Sequence, residues 1–226
     1  IQHSSGNIKH IKIIPHGVGE NFRVKSRSLE LSSNANIQIH LLYISNTAMY
    51  KRQWTVIRAI DKLRQQGLNL NLTLIGGGTG HAERILLKQM SRSDPKGLYI
   101  KKIDYVHQCD LPSHLSKADI FIFASTCENM PVTLVEAMAS GLPIVCSNRG
   151  PMPEILQDAG EYFDPEDPNS IADALHRMIH SYTLRESKSK RALELSSFYT
   201  WNRCSLETFG FISDTFYPLS MKSIKS

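Results

Sequence analysis

Several absences narrow what this 226-residue chain can be. No apolar run approaches the ~20 residues that a membrane-crossing helix needs. The four cysteines, Cys109, Cys127, Cys146 and Cys204, are scattered and form no C-x-x-C pair, so a reduced cytoplasmic setting is expected rather than a disulfide framework. No aromatic residues interleave with basic ones in the manner of a nucleic-acid binder. The glycine run Gly76-Gly77-Gly78-Thr79-Gly80 fails the G-x-G-x-x-G test in both frames, because His81 or Glu83 stands where the last glycine belongs. The nearest acid at ribose distance, Asp94, precedes Pro95 and reads as a turn, which disfavours a nicotinamide enzyme. His176 and His180 stand at i, i+4, but Arg177 follows His176 where a zinc-protease helix carries Glu, so the pair reads as a solvated helix face. No D-x-D triplet occurs, and Asp164-Pro165-Glu166, which comes nearest, reads as a turn. The chain begins with Ile1 rather than Met and has no signal peptide, so it is expected to be an excised piece of a longer protein.

What is present fits one α/β domain. A length of 226 residues with 41% hydrophobic content allows a single large core. The net charge of +5 suits contact with an anionic membrane surface or a phosphate-bearing ligand. The densest basic spots, Lys101-Lys102 and Lys188-Ser189-Lys190-Arg191, read as solvated helix ends and loops. Strand and helix patterns alternate, which predicts a parallel sheet flanked by helices. Strands are expected at 11–14, 37–44, 70–75, 98–103, 120–124, 143–146 and, at an edge, 160–163. Helices are expected at 53–66, 82–90, 112–117, from Pro131 to the Gly141-Leu142-Pro143 stop, at 153–156, 170–181 and 184–197, and from near Thr200. Residues 28–35 read as a loop.

The most informative segment runs from Ser125 to Pro143. Glu128 falls in the loop after the buried strand Ile120-Phe121-Ile122-Phe123-Ala124, and Glu136 falls about a turn and a half into the next helix. Pro131 suits the first turn of that helix. The unpaired N–H groups of a helix start suit an anion such as phosphate. Asn129, Met130, Val132 and Thr133 are the candidate donors, since Pro131 has no N–H. Two carboxylates that accept hydroxyl hydrogens flank this site, and hydroxyls plus phosphate describe a sugar nucleotide.

The E-x7-E spacing of Glu128 and Glu136, followed by Ala137-Met138-Ala139-Ser140-Gly141-Leu142-Pro143, resembles the signature of the group 1 (family 4) retaining glycosyltransferases. Ile14-Pro15-His16-Gly17-Val18, Tyr50-Lys51, Leu74-Ile75-Gly76-Gly77-Gly78, Ala118-Asp119-Ile120-Phe121, Pro151-Met152-Pro153-Glu154-Ile155-Leu156, Tyr162-Phe163-Asp164-Pro165 and Tyr199-Thr200-Trp201 agree and stand in the family's order. The resemblance covers residues 8–217 and only the C-terminal half of such enzymes. It implies one Rossmann-like lobe of a GT-B fold, with the N-terminal acceptor lobe absent and residues 218–226 a flexible tail.

The resemblance also implies roles. Glu136 would accept hydrogen bonds from ribose hydroxyls. Glu128 would touch the donor sugar near the reacting carbon. Lys51 would neutralise the leaving diphosphate. Asn46 stands near the place of a family arginine, so one positive charge is missing there, or is supplied by Arg52 or by the absent lobe. Gly77 belongs to a turn beside the diphosphate or one that simply lets the chain turn. The backbone of Tyr105 and Val106 would meet the nucleobase. Gly17, after His16, would lie near the interlobe cleft. The last helix, with Trp201, Phe209, Phe211, Ile212, Phe216 and Tyr217, would cross onto the missing lobe or pack on its own domain. The implied donor is a UDP- or GDP-linked sugar, the acceptor a glycan or glycolipid, and no metal is expected. The implied location is cytoplasmic, with peripheral contact at the inner membrane face. A non-catalytic sugar-nucleotide-binding module and a GT-B-related nucleotide-sugar epimerase remain alternatives.

Overall fold

The computed structural model describes residues 11–25, 29 and 38–216. Six parallel strands form one sheet: β1 (Ile39–Ile44), β2 (Leu70–Ile75), β3 (Ile100–Ile103), β4 (Ile120–Phe123), β5 (Ile144–Ser147) and β6 (Gly160–Phe163). Their order is β3-β2-β1-β4-β5-β6. The central strands are buried on both faces, which is why β4 reads Ile-Phe-Ile-Phe with no polar alternation.

The helices are α1 (Gln53–Gln65), α2 (Gly80–Ser93), α3 (Leu111–Lys117), α4 (Val132–Ala139), α5 (Met152–Leu156), α6 (Pro168–His180), α7 (Tyr182–Ser196) and α8 (Trp201–Phe216). Right-handed crossovers that run outward in opposite directions from β1 and β4 place α1 and α4 on opposite faces. Accordingly α1 packs against α2 and α6, and α4 packs against α7. Two helices stop by the same device. In α1 the amide of Leu68 bonds back to the Leu63 carbonyl, and in α4 that of Leu142 bonds to Ala137. Gly67 (φ +95°) and Gly141 (φ +65°) make the left-handed step that each stop requires.

The sheet order creates a switch point. The chain leaves β1 toward β2 on one side and leaves β4 toward β5 on the other. The loops after these adjacent strands therefore diverge and leave a crevice at the carboxyl edge.

Some expectations need correction. Residues 11–14 form no strand, because the segment pairs with no strand of the sheet. Pro131 is not in the first turn of α4 but immediately before it, with ψ at 80°. Its φ of −78° and the bond from the Val132 amide to the Met130 carbonyl make it the centre of an inverse γ-turn. The Ser28–Ala35 loop, apart from Leu29, lies outside the described residues, as do the limits of the 8–217 domain and the tail at 218–226.

Candidate functional site

The loops at the carboxyl edge are tied to one another. The Thr47 amide bonds to the Gly77 carbonyl at 2.9 Å, joining the β1 and β2 loops. The Thr126 amide bonds to the Tyr50 carbonyl at 2.8 Å, joining the β1 and β4 loops across the switch point. Gly76 takes φ +122°, and a Cβ there would sit 2.2 Å from the Ser45 carbonyl oxygen. A Cβ on Gly78 would meet Thr47 at 2.5 Å, and one on Gly77 would meet the Asp104 carbonyl at 3.1 Å. The glycine run is thus what lets three loop backbones close together.

Lys51 ends a 3-10 turn, Met49–Lys51, and is buried. Its carbonyl accepts the Tyr43 hydroxyl at 2.6 Å. Its ammonium lies 5.1 Å from the centre of the Tyr50 ring and 5.4 Å from that of Phe123. Across the switch point it forms an ion pair with Glu128 Oε1. Both side chains are largely buried, at 9% and 13% exposure.

Glu136 lies deeper, on the first turns of α4, and is 4% exposed. Its Oε2 has no hydrogen-bond partner among the described residues. Burial pushes its carboxyl from the ordinary 4.5 up to about 7, while a hydrogen bond with Gln108, from the loop after β3, pulls the other way. At the start of α4 the Val132 amide is spent on Met130, so that member of the expected donor set is already committed. The amides of Asn129, Met130 and Thr133 have no hydrogen-bond partner among the described residues. The edge therefore combines a cation, a buried carboxyl that accepts when ionised, and unpartnered amides. That set suits an anion joined to hydroxyls.

The family model for group 1 glycosyl transferases matches residues 27–194. The chain belongs to the group 1 glycosyltransferases.

Among curated relatives, this glycosyltransferase chain is 28% identical to the O-antigen chain mannosyltransferase B of Escherichia coli over 171 residues, which is 76% of this chain and 45% of that protein. The sucrose-phosphate synthase structure from Thermosynechococcus elongatus has a TM-score of 0.76 at 20% identity, covering 91% of this chain and 52% of that one. The structure of Anabaena HepE in complex with UDP and glucose has a TM-score of 0.68 at 20% identity, covering 78% and 49%. The chain spans about half the length of such relatives. The fold is the Rossmann-like domain of the GT-B glycosyltransferases.

Against this frame of loops, Lys51, Glu128, Asn46 and Gly77 come together at the carboxyl edge. Glu136 lies on α4, the helix that follows the loop carrying Glu128. Asn46 is exposed in the β1 loop, and its carbonyl lies 3.4 Å from the Gln53 amide nitrogen. Arg52 forms an exposed ion pair with Glu166, and its Nε has no partner among the described residues. Tyr105 is exposed, its ring edge-on to His107 at 5.1 Å, and Val106 is half-buried against the core. Gly17 has a packing reason: a Cβ there would sit 2.2 Å from the Trp201 nitrogen, at the start of α8. His176 and His180 stack at 3.9 Å on an exposed face, and no group of three metal-ligating side chains occurs among the described residues.

Beside Asn129 and Met130 opens a cavity of about 690 Å³, lined also by Ile13, Pro15, Glu154 and Tyr199. No described helix is long and apolar enough to cross a membrane. Sequence reasoning missed Gln108 as the partner of Glu136 and the Lys51–Glu128 pairing itself. Gln108 stands two residues after Val106, but no spacing rule links it to α4.

Proposed function

We propose that this chain is the donor-binding half of a retaining glycosyltransferase. It holds a UDP- or GDP-linked hexose whose sugar passes to an acceptor hydroxyl on a glycan or glycolipid. The observation that carries this reading is the pairing of Lys51 with Glu128 across the switch-point crevice, together with the buried carboxylate of Glu136 on the helix that follows the Glu128 loop.

In this reading Glu136 receives the ribose hydroxyls on its unpartnered oxygen. Lys51 leaves Glu128 and turns to the diphosphate. The amides of Asn129, Met130 and Thr133 meet sugar and phosphate oxygens, and the Tyr105–Val106 backbone meets the base. Glu128, freed of its partner, accepts donor-sugar hydroxyls. During transfer the bond from the anomeric carbon to the diphosphate oxygen breaks while the acceptor oxygen bonds to the same face of that carbon. The leaving diphosphate takes the acceptor proton. Lys51 acts most strongly as charge grows on the leaving group. No resident metal is assigned a role.

The acceptor wall is assigned to a further lobe, since the match covers only about half of each relative. The chain alone therefore binds donor without completing transfer. A cytoplasmic location, with peripheral contact at the inner membrane face, accords with this assignment. Calorimetric titration with UDP and GDP tests the reading. One of the two is expected to bind, and Glu136→Ala should weaken that binding at least about tenfold, from the loss of charge-assisted hydrogen bonds of roughly 1.5–3 kcal/mol. Failure of both nucleotides to bind, or an unchanged dissociation constant in Glu136→Ala, would refute it.

A further inference from the structure

A second concave site lies away from the crevice, between α1 and α2 and toward the amino edge of the sheet. It encloses about 720 Å³ and is lined by Arg58, Lys62, Arg64 and Arg92, together with Asp61 and Tyr99. Four cations thus face one acid. None of the four forms an ion pair among the described residues.

The single acid offsets only part of their charge, and its oxygens are already used as acceptors by neutral hydroxyls. The Tyr99 hydroxyl lies 2.8 Å from Asp61 Oδ1, and the Ser93 hydroxyl donates to Oδ2. Asp94, close by, spends its carboxylate on the amides of Leu98, Tyr99 and Ile100.

Three of the four cations are also held in place. Gln89, itself buried, accepts from Arg58 Nε at 2.9 Å and donates to Ser93 Oγ at 2.9 Å. Arg64 donates to the Leu70 carbonyl at 2.6 Å and lies 4.0 Å above the Tyr99 ring. Lys62 is anchored to Asn169 at the start of α6. This network of Gln89, Ser93, Asp61 and Tyr99 orients guanidinium groups without cancelling their charge. A planar guanidinium with N–H groups to spare matches the oxygens of a phosphate better than a diffuse lysine patch does.

We propose that this groove binds a phosphate group, carried either on a soluble molecule or on an anionic lipid. The proposal is independent of the donor crevice and uses none of its residues.

The experiment has two arms. In the first, inorganic phosphate is titrated while the arginine Nε–H signals are followed by NMR. In the second, the protein is co-sedimented with phosphatidylcholine vesicles with and without phosphatidylglycerol. The variants are Arg92→Gln, the double variant Arg58→Gln/Arg92→Gln, and a charge-matched control, Lys96→Gln/Lys190→Gln, at exposed positions elsewhere. Saturable shifts at Arg58 and Arg92, or binding to phosphatidylglycerol vesicles alone, are expected in the wild type and the control. Arg92→Gln should weaken the response and the double variant should weaken it at least about tenfold, the scale of one lost charge-assisted bond. A response to phosphate without vesicle binding identifies a soluble source, and vesicle binding without a phosphate response identifies a lipid. No response in either arm, or an equal loss in the control, overturns the proposal.

Discussion

Lys51 and Glu128 neutralise one another across the switch point although 77 residues separate them in sequence. The loops after β1 and β4 bring them together, and the bond from the Thr126 amide to the Tyr50 carbonyl fixes the approach. A buried pair of this kind holds each charge in place until a better partner arrives, and removing one member leaves the other uncompensated.

If the better partner of Lys51 is a diphosphate, Lys51→Ala weakens binding of UDP or GDP much more than binding of uridine or guanosine. The expected loss for the diphosphate is at least about tenfold, from one charge-assisted bond. Calorimetry on nucleoside and nucleoside diphosphate in parallel checks this. Equal losses for both would place Lys51 away from the phosphates.

Glu128→Gln should act with the opposite sign. The neutral amide releases Lys51 from its competitor, so affinity for the bare nucleoside diphosphate holds or rises. Transfer by the full-length protein falls, because the donor sugar loses its charged acceptor. The two readouts are a UDP or GDP titration on this chain and a transfer assay on the full-length protein. A weakened diphosphate together with intact transfer would contradict the assigned role.

Glu136 makes stability depend on pH. Its folded-state value, about 7, lies above the ordinary 4.5, so the folded chain holds the proton more tightly than the unfolded chain. The stability it contributes is full below about pH 4.5 and is lost as pH rises through about 7. Glu136→Gln should remove that slope and raise stability at pH 8 by up to roughly 3 kcal/mol relative to wild type, with little difference at pH 4. Nucleotide binding by the wild type should strengthen over the same interval, since the ionised carboxylate is the better acceptor. Thermal melts across pH check the first part and titrations at pH 6 and 8 the second. A flat difference between wild type and variant would show that Glu136 is not the group responsible.

Much of this was legible in the sequence, and the remainder has physical reasons for being hidden. Buried parallel strands such as Leu70–Ile75 and Ile120–Phe123 announce themselves as apolar runs, and Gly67 and Gly141 mark where helices must stop. The segment at 11–14 misled because Ile11, Ile13 and Ile14 look like a strand, yet Ile13 is 85% exposed and no neighbouring strand receives it. The E-x7-E spacing located Glu128 and Glu136. It said nothing of their environments, because the burial of Glu136 depends on Gln108 and the α4 packing, which no local pattern encodes. The cation groove was equally invisible. Arg58, Lys62 and Arg92 sit on two helices, and only the packing of α1 on α2 makes them neighbours.

Gly76→Ala tests how the site is built rather than how it binds. Gly76 has φ +122°, and a Cβ would meet the Ser45 carbonyl at 2.2 Å and the Asn46 amide at 3.0 Å. Both are backbone atoms, so no side chain can swing aside. The substitution should destabilise the chain by at least about 2 kcal/mol. It should also loosen the β1 loop that carries Asn46 and Lys51. Denaturant unfolding measures the first effect and UDP or GDP titration the second. Gly80→Ala is the contrast: it shares a positive φ of 73° but has nothing within 4 Å, so it should cost less and spare binding. Equal effects from the two substitutions would mean that the close approach at Gly76 is not what shapes the loop.

The last expectation concerns the chain as a whole. The Lys51–Glu128 pair, Glu136 and the α4 amides all lie within residues 38–216, so the residues that the proposed donor site needs from this domain are present. The family model covers residues 27–194 of this chain, whereas relatives such as the Escherichia coli mannosyltransferase are about twice as long. Transfer requires donor and acceptor held in register, and losing that orientation can remove several powers of ten in rate. The isolated chain should therefore bind a nucleoside diphosphate weakly, with only one side of the crevice enclosing the ligand, and should not consume a nucleotide sugar. Trp201, Leu206 and Phe209 of α8 are exposed, which gives a second polypeptide apolar surface to bury. Supplying the remainder of the full-length protein in trans should tighten nucleotide binding and restore some transfer. A donor-consumption assay against mixed acceptors, run with and without that second polypeptide, checks both points. Donor-specific transfer by this chain alone would show that a single Rossmann-like lobe suffices and that the half-enzyme assignment is wrong.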